Sequence, residues 1–167
     1  MNLNVLKAVR EPGRNIPFEA VQVIPPMEIR GDAVTFDDAV IKGTMMAGSD
    51  GNVTLEGMLT TTAHTCCAKC LGAADAAVQT EFREVFYRDG DPNDPEIFVY
   101  QGSEIDLELL ASTTALLELP IKILCRPDCP GIAGYAVGTD EDQTDQNASQ
   151  RHPFAALQQM LTKDEEV

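Results

Sequence analysis

Five cysteines constrain this 167-residue chain most, because four of them form two pairs at metal-ligand spacing. Cys67 and Cys70 make a CxxC pair, whereas three residues separate Cys125 from Cys129. The second pair encloses Pro127, which favours a turn that can point both sulfurs to one side. Two such turns that meet in space would complete a tetrahedral site of four thiolates. The spacing therefore predicts one shared four-cysteine site, for which zinc is the default metal.

Two other interpretations of these cysteines stay open. The thiols could be reduced structural residues, because 54 residues separate Cys70 from Cys125, a longer gap than in compact zinc ribbons. A thiol redox site would require the CxxC pair at the start of a helix, whereas the neighbouring sequence predicts strands. Cys66 should point away from Cys67 in an extended segment, and we interpret it as a spare thiol that could replace Cys67. His64 is a candidate to support a ligand or to replace one.

The charge of the chain restricts its partners. A net charge of −15, from 27 acidic and 12 basic residues, argues against a broad nucleic-acid surface and favours basic protein partners. Residues 71–120 carry 11 acidic and 2 basic residues, a net charge of −9. Residues 121–139 have a net charge of +1, so RNA contact is expected only locally, at Lys122 and Arg126. Lys69 and Arg126 would offset the double negative charge of a zinc tetrathiolate centre.

The apolar pattern predicts an α+β fold. Strands are expected over 18–24, 34–36, 39–46, 53–61, 76–87 and 97–100, with a helical alternative for 75–84. A turn signal at 48–52 predicts a hairpin. A central helix is expected from Asp106, as N-cap, to Leu119, where Pro120 ends it. The resulting architecture is an antiparallel sheet that could approach a barrel, with a central helix and a C-terminal helix.

The composition along the chain predicts four regions. Residues 1–17 are expected to be a loose N-terminal arm, and 18–137 a single α+β domain that holds both cysteine pairs. Residues 138–151 read as an acidic flexible linker, and 152–163 as a helix that docks on the domain. The sequence has neither an apolar run of about 20 residues nor a signal-peptide pattern, which favours a cytoplasmic protein.

Motifs that carry catalysis are missing from the sequence. It has no phosphate-binding glycine loop, no GxSxG and no HExxH, and no pair of carboxylates is singled out as general acid and base. An enzyme is therefore the weaker hypothesis. An RNA-processing enzyme, or a thiol redox protein that uses the CxxC pair, stays the alternative.

The order of several motifs resembles a known family. These motifs are CAKCL at 67–71, EIDL at 104–107, LP at 119–120, LCRPDCPG at 124–131 and HPFAAL at 152–157. Together they are similar to the YceD family of large ribosomal RNA subunit accumulation proteins. The resemblance implies a bacterial cytosolic factor that supports 23S rRNA accumulation or processing and large-subunit assembly, in a family for which no enzymatic activity is established. It implies a ribosomal protein or a pre-50S particle as partner, and the local rRNA contact is the expectation from charge. Cysteine-rich members have further cysteines where this chain has Ala133 and Ala136. Either Cys67, Cys70, Cys125 and Cys129 form one shared site, or this chain has lost the metal.

Overall fold

The computed structural model describes residues 2–92 and 94–132. Within these residues the chain forms nine strands and two helices. The elements in chain order are β1 (Asn2–Asn4), α1 (Leu6–Arg10), β2 (Ile16–Gln22), β3 (Met27–Ile29), β4 (Asp32–Phe36), β5 (Ala39–Ala47), β6 (Val53–Cys66), β7 (Ala73–Tyr87), β8 (Phe98–Val99), β9 (Glu104–Asp106) and α2 (Glu108–Glu118). The α+β class predicted from the sequence is confirmed.

The main sheet has seven strands and is built around the long strand β6. One edge of β6 pairs along its whole length with β7, from Val53 opposite Phe86 to Cys66 opposite Ala73. Its other edge is shared, because β5 pairs with residues 53–60 and β4 with residues 63 and 64. In the described part of the chain β2 lies at one side of the sheet and β8 at the other, and no pairing joins them. The sheet is therefore open, and the barrel-like closure considered from the sequence is not formed.

Alternation of buried and exposed residues explains the long strands. In β7 nearly every second side chain points into the core, including Val78, Phe82 and Phe86, while the residues between them face outward. A period of two is compatible with a strand and not with an amphipathic helix, so the helical alternative for 75–84 is wrong. The inner face of the sheet is covered by α2, which packs on β6 and β7, and by α1, which packs on β5.

Two facing glycines bring β5 and β6 close together at the middle of the sheet. Gly43 lies directly opposite Gly57. A Cβ atom on Gly57 would lie 2.3 Å from the carbonyl oxygen of Lys42, and one on Gly43 would lie 2.1 Å from that of Glu56. Both obstacles are backbone atoms, so a side chain at either position would force the strands apart.

The N-terminal residues are folded into the domain, and the prediction of a loose arm is wrong for residues 2–10. β1 pairs with β9 in a separate two-stranded sheet, with Asn2 opposite Asp106. Val5 and Ala8 are fully buried in the core. Pro12 and Gly13 make a turn, in which the Gly13 amide donates to the Ala47 carbonyl over 2.8 Å, and Pro17 lies in β2.

The central helix is slightly shorter than predicted. Asp106 is the last residue of β9, and its carboxylate accepts a hydrogen bond of 3.0 Å from the amide of Glu108, the first helical residue. Asp106 thus satisfies a free amide of the first turn from just outside the helix. None of the helices among the described residues is long and apolar enough to cross a membrane. The predicted linker at 138–151 and helix at 152–163 lie outside the described residues.

Candidate metal centre

The first cysteine pair lies in the turn that joins the two longest strands. The amide of Cys67 donates to the carbonyl of Gly72 over 2.7 Å, and the amide of Leu71 donates to the carbonyl of Cys67 over 3.0 Å. Leu71 adopts a φ of +60°, which lets the chain reverse within a few residues. Because β6 and β7 pair up to the last residue before this turn, the sheet holds Cys67 and Cys70 in place.

The second cysteine pair returns to the same turn after α2 ends. The carbonyl of Ile123 accepts a hydrogen bond of 2.8 Å from the amide of Ala68, which ties the segment 121–132 to the turn. The amide of Cys129 donates to the carbonyl of Arg126 over 3.1 Å and closes a local turn between the two cysteines. Gly131 has a φ of +86°, a left-handed conformation that glycine adopts without strain.

The four sulfurs form one compact group. Cys67 Sγ lies 3.7 Å from Cys129 Sγ, Cys70 Sγ lies 3.7 Å from Cys125 Sγ, and all four atoms are within 4.8 Å of one another. Tetrahedral zinc with bonds of about 2.3 Å would separate neighbouring sulfurs by about 3.8 Å. A disulfide would need about 2.05 Å, and all of these cysteines are free. The donor set fits a four-coordinate thiolate site.

The four thiols differ in burial. Cys67 and Cys129 are buried, Cys70 is half-buried and Cys125 is exposed. Ala74 packs with the two buried cysteines in a small apolar cluster beside the main core. A cation held here would be shielded on one side by the protein and reached by solvent on the other.

Backbone amides and crowding act on the thiol pKa values in opposite directions. The amides of Cys125, Lys69 and Cys70 lower the pKa of Cys67 to about 6, and the Lys69 nitrogen lies 3.5 Å from its sulfur. The neighbouring thiols of Cys129 and Cys70 raise the pKa of Cys125 to about 12. One thiolate is thus favoured by the amides, while further ionisation in the group is opposed by its neighbours.

Cys70 shows both effects at one sulfur. The amide of Gly72 lowers the pKa of Cys70, but the thiols of Cys67 and Cys129 outweigh it, so that the pKa lies above its usual value. Four negative sulfurs at these distances repel one another strongly. A divalent cation among them would remove that repulsion, as in all-cysteine zinc sites.

Cys66 and the basic residues selected from the sequence are all exposed. Cys66 is exposed and lies outside the sulfur group, as its place at the end of β6 predicts. Lys69, Lys122 and Arg126 are all exposed. Arg126 Nε lies 3.9 Å from the carboxylate of Asp128, an ion pair fully open to solvent.

His64 takes a role that the sequence did not indicate. It is not among the grouped donors; instead its Nδ1 lies 2.7 Å from Asp75 Oδ1 and its Nε2 lies 3.1 Å from Asp37 Oδ1. Hydrogen bonds to Asp75 and Asp37 raise the pKa of His64, and the bond to His64 lowers the pKa of Asp37. The imidazole therefore links β6 to β7 and to the loop after β4. Only the strand register, in which His64 faces Asp75, could have revealed this contact.

The comparison with family models identifies one family. Residues 55–161 match the sequence model of the family described as "Large ribosomal RNA subunit accumulation protein YceD". Three curated relatives, one from Mycobacterium bovis and two from strains of Mycobacterium tuberculosis, are each described as an uncharacterized protein. Each is 35% identical over 71 residues, which is 40% of this chain and 34% of the relative, so the chain spans about a third of their length. No solved structure matches the chain.

Proposed function

The chain belongs to the YceD family, and from that premise we propose that it is a non-enzymatic factor that supports 23S rRNA accumulation and large-subunit assembly. The observation that carries the proposal is the family match over residues 55–161, a range that contains both cysteine pairs. The role in ribosomal RNA accumulation follows from the family's description. The step in assembly, the partners and a cytoplasmic location are part of the proposal.

The proposal includes a structural zinc site formed by Cys67, Cys70, Cys125 and Cys129. Sulfur separations of 3.7 Å, close to the value for tetrahedral zinc, support it. Four protein ligands leave no open position for water or substrate, so the ion would hold the fold together and not activate a nucleophile. Thiolate ligands favour zinc over magnesium, calcium or manganese.

The partner proposed for this role is a pre-50S particle, contacted through a basic ribosomal protein and locally through rRNA. The net charge of −15 would attract a basic protein and repel most of the phosphate backbone. Lys122 and Arg126 are the proposed RNA contacts, because both are exposed on the segment that carries the second cysteine pair. Their phosphate contacts would weaken as salt increases.

Co-sedimentation with pre-50S particles tests this function. We expect the full chain to migrate with these particles at low salt, and a deletion strain to accumulate less mature 23S rRNA. Lys122→Glu combined with Arg126→Glu should weaken the association. Lys7→Glu combined with Arg10→Glu, on exposed positions of α1, is the matched control for charge and should have little effect. Absence of the wild-type protein from the particles, together with normal 23S rRNA in the deletion strain, would refute the proposal.

A thiol redox protein is the second candidate, favoured by the CxxC pair and by the pKa of Cys67, lowered to about 6. Against it, the Cys67 side chain is fully buried, whereas an attacking thiolate must reach a partner disulfide. Protein purified without chelator separates the two functions. Metal-free protein that readily forms a Cys67–Cys70 disulfide would favour redox chemistry.

An RNA-processing enzyme is the third candidate. Among the described residues, the four cysteines are the group of donors that could hold a metal, and they include no carboxylate. Incubation of the purified protein with precursor 23S rRNA and divalent metal should leave the RNA intact. Cleavage that depends on the added metal would replace the proposed binding role with a catalytic one.

A further inference from the structure

The helix α2 is apolar on two opposite faces. One face packs into the core through Leu110, Ala111 and Ala115. The opposite face presents Leu109, Leu116 and Leu117, which are 61%, 41% and 80% exposed. A helix with one face buried in the core and large apolar side chains exposed on the other is typical of one that a partner covers on its outer side. The outer leucines of α2 are thus a surface without a cover among the described residues.

The outer leucines continue into a groove at the end of the helix. Ile121, just beyond Pro120, is 81% exposed. The groove has a volume of about 240 Å³ and lies between the end of α2, the β3–β4 hairpin and the end of β6. Its apolar lining includes Ile29, Val34, Leu116, Leu119, Ile121 and Ile123. Arg30 and Asp32 also line it, and their charges have opposite signs. A single exposed leucine is ordinary, but a contiguous apolar surface that leads into a groove is typical of a binding site.

The charge around this surface indicates the kind of partner. α2 contains no basic residue and has Glu108 and Glu118 near its two ends. The helix lies within the segment 71–120, which has 11 acidic against 2 basic residues. A complementary ligand would carry large apolar side chains flanked by lysine or arginine. Phosphate backbones would be repelled from the acidic ends of α2.

We propose that the outer face of α2 and the groove at its end bind an amphipathic segment of a basic protein. This inference rests on the proposed function, for which it names the surface that contacts the protein partner. The outer positions Leu109, Leu116 and Leu117 follow the i, i+7, i+8 spacing by which one helix packs its apolar stripe against another. The basic flanks of the ligand would lie near the acidic ends of α2.

The groove also adjoins the candidate metal centre. Ala68 lines it directly and donates its amide to Ile123, which lines it as well. Ile123 packs both against the main core and against the cluster that contains Cys67. Binding experiments should therefore use the full chain purified without chelator, so that this wall of the groove is intact.

The direct test is fluorescence anisotropy with a synthetic amphipathic helical peptide of leucine and lysine, compared with a peptide in which serine replaces leucine. We expect the leucine peptide to bind at least about tenfold more tightly. Leu117→Ser combined with Ile121→Ser should reduce that affinity by about tenfold or more. Val21→Ser combined with Val23→Ser is the matched control, because these valines are also exposed, at the end of β2. The control should bind as the wild type does.

Several results would overturn the inference. One is equal affinity for the two peptides, and another is an unchanged affinity in the variant with Leu117→Ser and Ile121→Ser. A third is a wild-type dimer, seen on sedimentation, that this variant does not form, because a second copy would then be the occupant. Preferential binding of an RNA oligonucleotide at this face would also overturn it. If the variant still migrates with pre-50S particles like the wild type, the inference fails while the proposed function stands. If the wild type binds the peptide but is absent from the particles, and the deletion strain has normal 23S rRNA, the proposed function fails instead.

Discussion

Removing one sulfur from the four-cysteine group should release the metal and loosen one defined part of the protein. We expect one zinc ion per chain in protein purified without chelator. Cys67→Ser and Cys129→Ser should each lose it, because both sulfurs are buried members of the group. Cys66→Ser is the matched control: it removes the same atom one residue away, from an exposed thiol outside the group, and should retain the metal.

The size of the effect follows from what else holds the segment 121–132 to the turn. Without metal, that link includes the hydrogen bond from Ala68 to Ile123, the packing of half-buried Ile123 and Leu124, and the packing of buried Cys129. One such hydrogen bond contributes about 1 kcal/mol. An ion present at about a thousandfold its Kd stabilises the folded state by about 4 kcal/mol. For a domain of this size that corresponds to a decrease in Tm of about 8–16 °C on metal loss.

Elemental analysis and thermal unfolding with and without chelator measure both quantities. Amide hydrogen exchange adds a local measure: the Ala68 amide should lose protection in the metal-free variants, while amides in the middle of β6 and β7 keep theirs. Zinc-free wild-type protein whose Tm is unchanged by chelator would refute the reasoning. An equal loss of metal in Cys66→Ser would do the same, since the sulfur distances would then not define the ligands.

Three further substitutions test the fold. Gly57→Ala should lower the free energy of unfolding in urea by about 1–3 kcal/mol, because the new Cβ meets backbone at 2.3 Å. Thr60→Ala, on the exposed face of β6, is the control and should lower it by less than about 0.5 kcal/mol. Leu110→Ala should lower the free energy of unfolding by about 2–5 kcal/mol, because Leu110 is fully buried. A smaller decrease would mean that the packing of α2 on the sheet is looser than described. The pKa of His64 is raised in the folded state. The difference in free energy of unfolding between the wild type and His64→Asn should therefore be largest below about pH 6 and should decrease as the pH rises through that raised pKa. Parallel stability curves for the two proteins from pH 5 to 8 would contradict this contribution.

The sequence predicted those elements whose pattern is local. The alternation in 39–46, 53–61 and 76–87 marks strands with one buried face, and β5, β6 and β7 cover these ranges. Two turn-forming cysteine pairs were enough to predict one shared site, and the structure brings the four sulfurs together. The same alternation placed Cys66 away from the group.

Features that depend on distant contacts were missed. α1 has only five residues, too few to be stable alone, and it forms because Val5 and Ala8 are buried in the core. The choice between an open and a closed sheet depends on which edges meet, and alternation within a strand does not encode it. The bridge from His64 to Asp75 and Asp37 likewise depends on the register between strands and on a loop 27 residues away.

The position of the two cysteine pairs along the chain gives the site an order of synthesis. The turn with Cys67 and Cys70 emerges first, and 54 residues separate Cys70 from Cys125. At about 5–20 residues per second the second pair follows about 3–11 s later. During that interval the new polypeptide holds Cys67 and Cys70 without Cys125 and Cys129. Under the proposed zinc site, a nascent chain that stalls before residue 129 could not complete the set of ligands, and ion capture would be one of the last events in the folding of this domain.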